Sequence, residues 1–70
     1  MIPIDTRRWE REHGRKPTGR QFWTFRIISP RITAKDFEFT TEEAMTYPAA
    51  CKVAREKAAL RKSDQIVLLA

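Results

Sequence analysis

Hydrophobic and polar residues alternate most regularly in two stretches near the middle of the chain. Residues 21–28 read QFWTFRII, in which the aromatic and β-branched side chains typical of strands dominate. Residues 33–41 read TAKDFEFTT, in which two phenylalanines alternate with charged and hydroxyl side chains. Such an alternation places one kind of side chain on each face of a strand. Because the turn sequence SPR follows the first stretch, the pattern predicts an antiparallel hairpin over residues 21–41.

The side chains of this hairpin also predict how the two strands align. When the apolar residues share one face, Arg26 on the other face lies beside Asp36 or Glu38. The alignment of the apolar side chains and the pairing of opposite charges therefore agree on which residues of the two strands share a face, which we call the register parity. We interpret the two carboxylates as partners of an ion pair rather than as catalytic acids. The predicted apolar face consists of Trp23, Phe25, Ile27, Phe37 and Phe39.

A helical pattern and a short apolar run follow the hairpin. Residues 47–62 read YPAACKVAREKAALRK, which is rich in helix formers and places small alanines on one broad face. Pro48 fits the first turn of such a helix. The spacing of Thr40 and Glu43 matches a capping box, which predicts a further helical turn directly after the hairpin. Residues 65–69 end in IVLL, a run that is too short for a helix and predicts a strand.

The order of these elements predicts an α+β fold in a single domain, residues 1–70. A short helix over residues 5–13, capped by Asp5, precedes a loop at residues 14–20. The last strand is expected beside the first strand of the hairpin, which gives a three-stranded sheet of order 2-1-3. The long helix then covers one sheet face, and the short helix, through Trp9, is left to cover the other. The predicted core comprises Trp23, Phe25, Ile27, Phe37, Phe39, Val53, Ala54, Ala58, Val67 and Leu69.

Charge is distributed unevenly along this chain of 70 residues. Residues 1–31 carry eight Lys and Arg against three Asp and Glu, whereas residues 32–70 carry six of each kind. The whole net charge of +5 therefore lies in the first part of the chain. A one-sided basic field attracts nucleic acid, an acidic protein surface or an anionic membrane, and composition alone leaves these open.

Few residues in the sequence could support catalysis. Cys51 and His13 are the single cysteine and the single histidine, so an intrachain disulfide and a Cys/His zinc site are both excluded. Gly14 and Gly19 are too few for a phosphate-binding loop. We therefore expect no enzymatic activity, no metal and no cofactor. Because so small a core is only modestly stable, homo-oligomerisation or partner binding is the stabilising device that remains open.

The sequence also bears on location. No apolar run approaches the length of about 18 residues that a membrane-spanning helix needs. The N-terminus lacks the apolar core of a signal peptide. We therefore expect no membrane partner and a cytoplasmic location, which suits a single reduced cysteine.

Residues 7–20, which we call the basic segment, are the strongest candidate for binding. Six of these residues are Arg or Lys, and they flank Trp9. A basic helix that runs into a Gly- and Pro-containing loop could lie along phosphates, and neighbouring aromatic rings could stack on bases. The simpler interpretation is a solvated helix whose field Glu10 and Glu12 partly neutralise. The predicted contact residues are Arg7, Arg8, Trp9, Arg11, Arg15, Lys16, Arg20 and Phe22.

Three short motifs add a family resemblance. They are HGRKPTG at residues 13–19, WTF at residues 23–25 and YPAA at residues 47–50, followed by the terminal apolar strand. Over residues 5–69 this pattern resembles small accessory proteins encoded by bacteriophages and prophages, most of which are uncharacterised. Some proteins of that kind with a similar β–β–α–β outline, anti-CRISPR proteins among them, bind and disable a host machine. The resemblance implies a host-directed binding protein and carries no catalytic residue.

Together these observations predict a small, non-enzymatic accessory protein of phage type that acts in the host cytoplasm. It would dock on a host protein or protein–nucleic-acid complex and modulate or inhibit it. The alternative is direct binding of DNA or RNA, largely without sequence specificity, through the basic segment.

Overall fold

The computed structural model describes residues 2–31 and 35–69, which form two helices and two β-sheets in an α+β arrangement. The main sheet has four strands in the order β1-β6-β3-β4, and β2 and β5 form a separate antiparallel ribbon, the β2–β5 ribbon. In chain order the elements are β1 (Ile4–Asp5), α1 (Arg7–His13), β2 (Arg20–Gln21), β3 (Thr24–Ile27), β4 (Phe37–Thr40), β5 (Met45–Thr46), α2 (Tyr47–Leu60) and β6 (Ile66–Leu69).

The three predicted strands are neighbours in the predicted order. β3 lies between β4 and β6 and runs antiparallel to both. The prediction of a three-stranded sheet is wrong, however, because β1 adds a fourth strand parallel to β6. With only two residues, β1 is too short to show the alternation by which a strand is recognised in a sequence.

The pairing of β3 with β4 confirms the predicted register parity. Phe25 lies opposite Phe39, and their ring centroids are 5.6 Å apart. On the other face Arg26 Nη2 donates a hydrogen bond to Glu38 Oε2 at 3.2 Å. Asp36 takes no part in this ion pair, since its carboxylate accepts an amide hydrogen in the hairpin turn.

Both helices cover the same face of the main sheet, which contradicts the prediction for the short helix. Trp9 is 3% exposed and belongs to the core cluster that also contains Trp23, Phe25 and the buried alanines of α2. The other face therefore lacks a helix among the described residues. We call it the open face, and it presents Thr24, Arg26, Glu38, Thr40 and Val67, all half-buried or exposed.

The last strand agrees only in part with the predicted core, which included Val67 and Leu69. Ile66 and Leu68 are buried in the core cluster and Leu69 is also buried, at 9% exposed, whereas Val67 is half-buried on the open face. The run IVLL contains no polar residue that would set its parity, so pairing with β3 determines it. The core cluster comprises Trp9, Trp23, Phe25, Ile27, Ala50, Ala54, Ala58, Ile66 and Leu68.

The ends of the two helices follow from their capping residues. Gly14 ends α1 in the left-handed conformation at φ 66°, and its N–H donates to the Glu10 carbonyl at 2.7 Å. Pro48 lies in the first turn of α2, as predicted. Asp5 belongs to β1 rather than to α1, but its carboxylate still accepts the first amide of the helix, that of Arg7, at 3.0 Å.

The predicted helical turn after the hairpin is absent, and Thr41 has another role. Residues 41–44 form bends. Thr41 is 5% exposed, and its Oγ1 accepts the Trp23 backbone N–H at 3.1 Å. The Thr41 N–H in turn donates to the Trp23 carbonyl at 2.9 Å. Thr41 therefore fixes the chain to Trp23 where the capping-box spacing suggests a helix start.

We expect Thr41→Val to lower the free energy of unfolding by about 1–3 kcal/mol, because the buried Trp23 amide loses its acceptor while the side-chain shape is kept. Urea unfolding followed by far-UV circular dichroism measures the change. Thr40→Val is the control, because it removes only an exposed hydrogen bond to the Thr24 hydroxyl at 2.9 Å, with an expected change below about 1 kcal/mol. Equal effects of the two substitutions would contradict the assigned role.

Candidate functional site

The basic segment forms one side of the molecule through three consecutive elements. Its residues lie in α1, in the loop at residues 14–19 and at the start of β2. The β2–β5 ribbon ties its far end to the domain, with Arg20 opposite Thr46. The six cations of the segment are all exposed. The fold therefore holds this charge outside the core, on a segment that is attached at both ends.

Trp9, which the sequence analysis places among the contact residues, lies inside the molecule. Its ring centroid is 5.6 Å from that of Trp23 and 3.9 Å from that of His13, which stacks on it. Arg15 lies over the same indole, with its guanidinium carbon 5.9 Å from the centroid. Because Trp9 is the one buried residue of α1, its ring attaches the helix and leaves the neighbouring cations facing solvent.

Arg7 differs from the other cations because it has a local counter-ion. Its Nε donates to Asp5 Oδ1 at 3.1 Å and its Nη2 donates to Asp5 Oδ2 at 2.8 Å. These hydrogen bonds from Arg7 lower the pKa of the Asp5 carboxyl to about 2. Within the described residues the remaining cations of the segment, Arg8, Arg11, Arg15, Lys16 and Arg20, form no ion pair.

An exposed aromatic ring follows the basic segment in the chain. Phe22 lies between β2 and β3 and is 59% exposed. Two residues before it, Arg20 Nη1 donates to the Ala44 carbonyl at 3.4 Å. We use the name basic surface for Arg8, Arg11, Arg15, Lys16, Arg20 and Phe22. It combines exposed positive charge with one exposed apolar side chain.

Two titratable residues outside this surface, Cys51 and Tyr47, lie in α2. Cys51 is buried in α2, one turn after Tyr47. Burial is the main cause that raises the pKa of the Tyr47 hydroxyl above its usual range, and the neighbouring Cys51 adds to the shift. Over residues 2–31 and 35–69, His, Cys, Asp and Glu side chains do not gather in a group of three that could hold a metal ion. In the same part of the chain neither helix is long and apolar enough to cross a membrane.

Comparison with known proteins adds no relative. The chain matches no known protein family, no curated protein and no solved structure. The resemblance to small phage-encoded accessory proteins stays a prediction.

We expect Trp9→Ala to lower the free energy of unfolding by roughly 3–5 kcal/mol, because it removes a large ring from a small core. Urea unfolding is again the measurement. Phe22→Ala is the matched control, since it removes an exposed ring just after the basic segment and should change stability by less than about 0.5 kcal/mol. A variant with alanine at residue 9 as stable as this control would show that Trp9 is not the attachment of α1.

The pair of Asp5 and Arg7 predicts a dependence of stability on pH. The folded-state pKa of Asp5 lies below its ordinary value of 3.8, so the stabilisation is present above that pH and is lost as pH falls toward about 2. We expect Asp5→Asn to lower the melting temperature at pH 7. The difference from the native chain should shrink between pH 4 and pH 2, in a series of thermal melts. A difference that stays constant with pH would contradict an ionised Asp5 as its source.

Proposed function

We propose that this chain is a small accessory protein of phage type, without enzymatic activity, that docks on a host protein or protein–nucleic-acid complex and modulates or inhibits it. The observation that carries the proposal is the basic surface, which combines the exposed ring of Phe22 with five exposed cations that form no ion pair within the described residues. Trp9 and the β2–β5 ribbon hold this surface at its two ends. The backbone that carries these cations is therefore attached to the domain before a partner binds.

The composition of the basic surface favours a macromolecular partner with acidic groups. Four of its five cations are arginines, whose planar guanidinium pairs with carboxylates through two parallel hydrogen bonds. Arginine and aromatic residues are also the side chains that most often dominate protein interfaces. In this arrangement Phe22 would fill an apolar pocket of the partner, and the arginines would pair with carboxylates around it.

The net charge of +5 supports the same mode of association. An uneven distribution of charge accelerates encounter with an oppositely charged surface and orients the two molecules before contact. Since Arg7 is already paired with Asp5, it contributes less to this field than its neighbours. The residues that we expect to carry binding are therefore Arg8, Arg11 and Phe22, with Arg15, Lys16 and Arg20 around them.

The test is a pull-down from host lysate with the tagged full chain, repeated after nuclease treatment. We expect a stoichiometric protein partner that the native chain retains and that Arg8→Gln/Arg11→Gln loses by at least about tenfold in affinity, which corresponds to about 1.4 kcal/mol. Phe22→Ser should weaken binding as well. Lys52→Gln removes an exposed charge from α2 and serves as the control, with unchanged retention. Thermal melts establish that all variants are folded.

Two outcomes would contradict this proposal. One is the absence of any stoichiometric protein partner before and after nuclease treatment. The other is equal retention by the native chain and by the charge variants, since the basic surface would then have no part in binding.

Direct binding of DNA or RNA is the second candidate, and the same five unpaired cations favour it. Because Trp9 and Trp23 are both buried, base stacking at this surface rests on Phe22, and phosphate contacts would dominate. In the pull-down this candidate appears as recovery of nucleic acid that nuclease abolishes. Its affinity should then fall linearly with the logarithm of salt concentration, with a slope of about −0.9 for each phosphate neutralised on duplex DNA.

A further inference from the structure

A second group of cations lies at the far end of β3 from Trp23. A cleft of 460 Å³ is lined there by residues from three separate segments. They come from the turn after β3, from the start of β4 and from the end of α2. The four cations of this cleft are Arg31, Lys35, Arg61 and Lys62, above a floor that includes Ile28 and Phe37. We call it the second cationic cleft.

The charge of this cleft is not compensated within it. No carboxylate is among the described residues that line it, and none of its four cations forms an ion pair in the described part of the chain. Of the carboxylates nearest in sequence, Asp64 lines a different cleft. Asp36 lies at the edge of this cleft, since its Oδ1 accepts the amide of the lining residue Ser29 at 2.7 Å, so that one carboxylate stands against four cations. An anionic ligand would therefore supply the missing counter-charge.

Arg61 gives the cleft a flat surface. Its guanidinium carbon lies 3.6 Å from the centroid of the Phe37 ring, which itself stacks with Phe39 at 5.9 Å. A guanidinium laid over a ring at this distance is held by cation–π attraction and keeps its second face free. That face can stack with another flat group, as guanidinium planes do with nucleic-acid bases.

Lys62 occupies a backbone position that favours glycine. The end of α2 forms a Schellman motif, in which the Ser63 N–H donates to the Ala58 carbonyl at 2.9 Å and the Lys62 N–H donates to the Ala59 carbonyl at 3.1 Å. Lys62 has φ 55°, in the left-handed region, where an L side chain is strained and glycine is not. The chain therefore places a cation at the rim of the cleft at the expense of stability.

We infer that the second cationic cleft binds a nucleoside phosphate. Its phosphate contacts Lys62, Lys35 and Arg31, and its base stacks on the free face of Arg61. The cleft volume lies within the range of roughly 300–1,000 Å³ that small-molecule sites occupy. A free nucleotide and the end of a single-stranded nucleic acid present the same chemistry. This site is separate from the basic surface, and its existence does not depend on the proposed function.

The test is a titration of the ¹⁵N-labelled full chain, followed by the backbone amide signals, with three probes. They are ATP, inorganic tripolyphosphate and a short single-stranded oligonucleotide that carries a 5′-phosphate. We expect saturable shifts at Ile28, Arg31, Phe37 and Lys62 with ATP, and weaker binding of tripolyphosphate. Tighter binding of the oligonucleotide than of ATP would identify a nucleic-acid end as the source, and the reverse order a free nucleotide.

Two substitutions separate binding from folding. Lys62→Gly relieves the left-handed strain, so we expect a higher melting temperature together with ATP affinity reduced by about fivefold to tenfold. Arg61→Lys keeps the charge but removes the planar face, so it should weaken ATP more than tripolyphosphate. Lys52→Gln on the exposed side of α2 should leave both affinities unchanged.

Three results would overturn the inference. They are the absence of saturable shifts at millimolar ATP, shifts confined to the basic segment, and equal binding of ATP and tripolyphosphate that Arg61→Lys does not alter. The first and third results leave the basic surface untouched, since its test uses other variants and a protein partner, whereas shifts confined to the basic segment would favour direct nucleic-acid binding there.

Discussion

Trp23 is the residue on which the arrangement of the whole molecule depends. Its backbone N–H and carbonyl are both bonded to Thr41, and its indole Nε1 donates to the Met45 carbonyl at 2.7 Å. Its ring meets Trp9 of α1 on one side and Tyr47 of α2 on another, the latter at 5.2 Å between centroids. One buried side chain thus joins both helices, the hairpin and the β2–β5 ribbon. A large ring thus carries three kinds of contact here and concentrates much of the packing of a small core in one side chain.

The small core also gives the cationic side chains of α2 a role in covering apolar surface. α2 presents alanines to the sheet, so it lies close to it, and long cationic side chains cover what the alanines leave open. Lys57 lies over the Phe39 ring at 5.2 Å, as Arg61 does over Phe37. Their stems shield apolar surface while their heads stay in water. Cations therefore do the covering that a third layer of structure would do in a larger domain.

A structural feature of this chain could be predicted from the sequence where two independent patterns lead to the same result. The hairpin register could be predicted because the apolar alternation and the pairing of Arg26 with Glu38 select the same parity. β6 offers no such check, since an uninterrupted apolar run fits either parity. The side of the sheet that α1 covers depends on one ring, Trp9, which meets Trp23 in space rather than in sequence. A single tryptophan among arginines is typical of a contact residue and of an anchor alike, so exposure of the basic segment could be predicted but the burial of Trp9 could not.

The same limit applies more strongly to the second cationic cleft. Three of its four cations come from residues 32–70, whose net charge is zero, so counting residues along the sequence hides them. Folding pairs Glu38 with Arg26 on the open face and bonds Asp36 to Ser29 at the edge of the cleft, so that one carboxylate stands against its four cations. The two cationic regions then lie toward opposite ends of β3, with a neutral ion pair between them. Distance and solvent screening reduce the repulsion between the two groups, because exposed charges farther apart than about 8–10 Å interact weakly at physiological salt. A small basic domain can in this way keep two separate anion-attracting regions without losing the stability of one modest core.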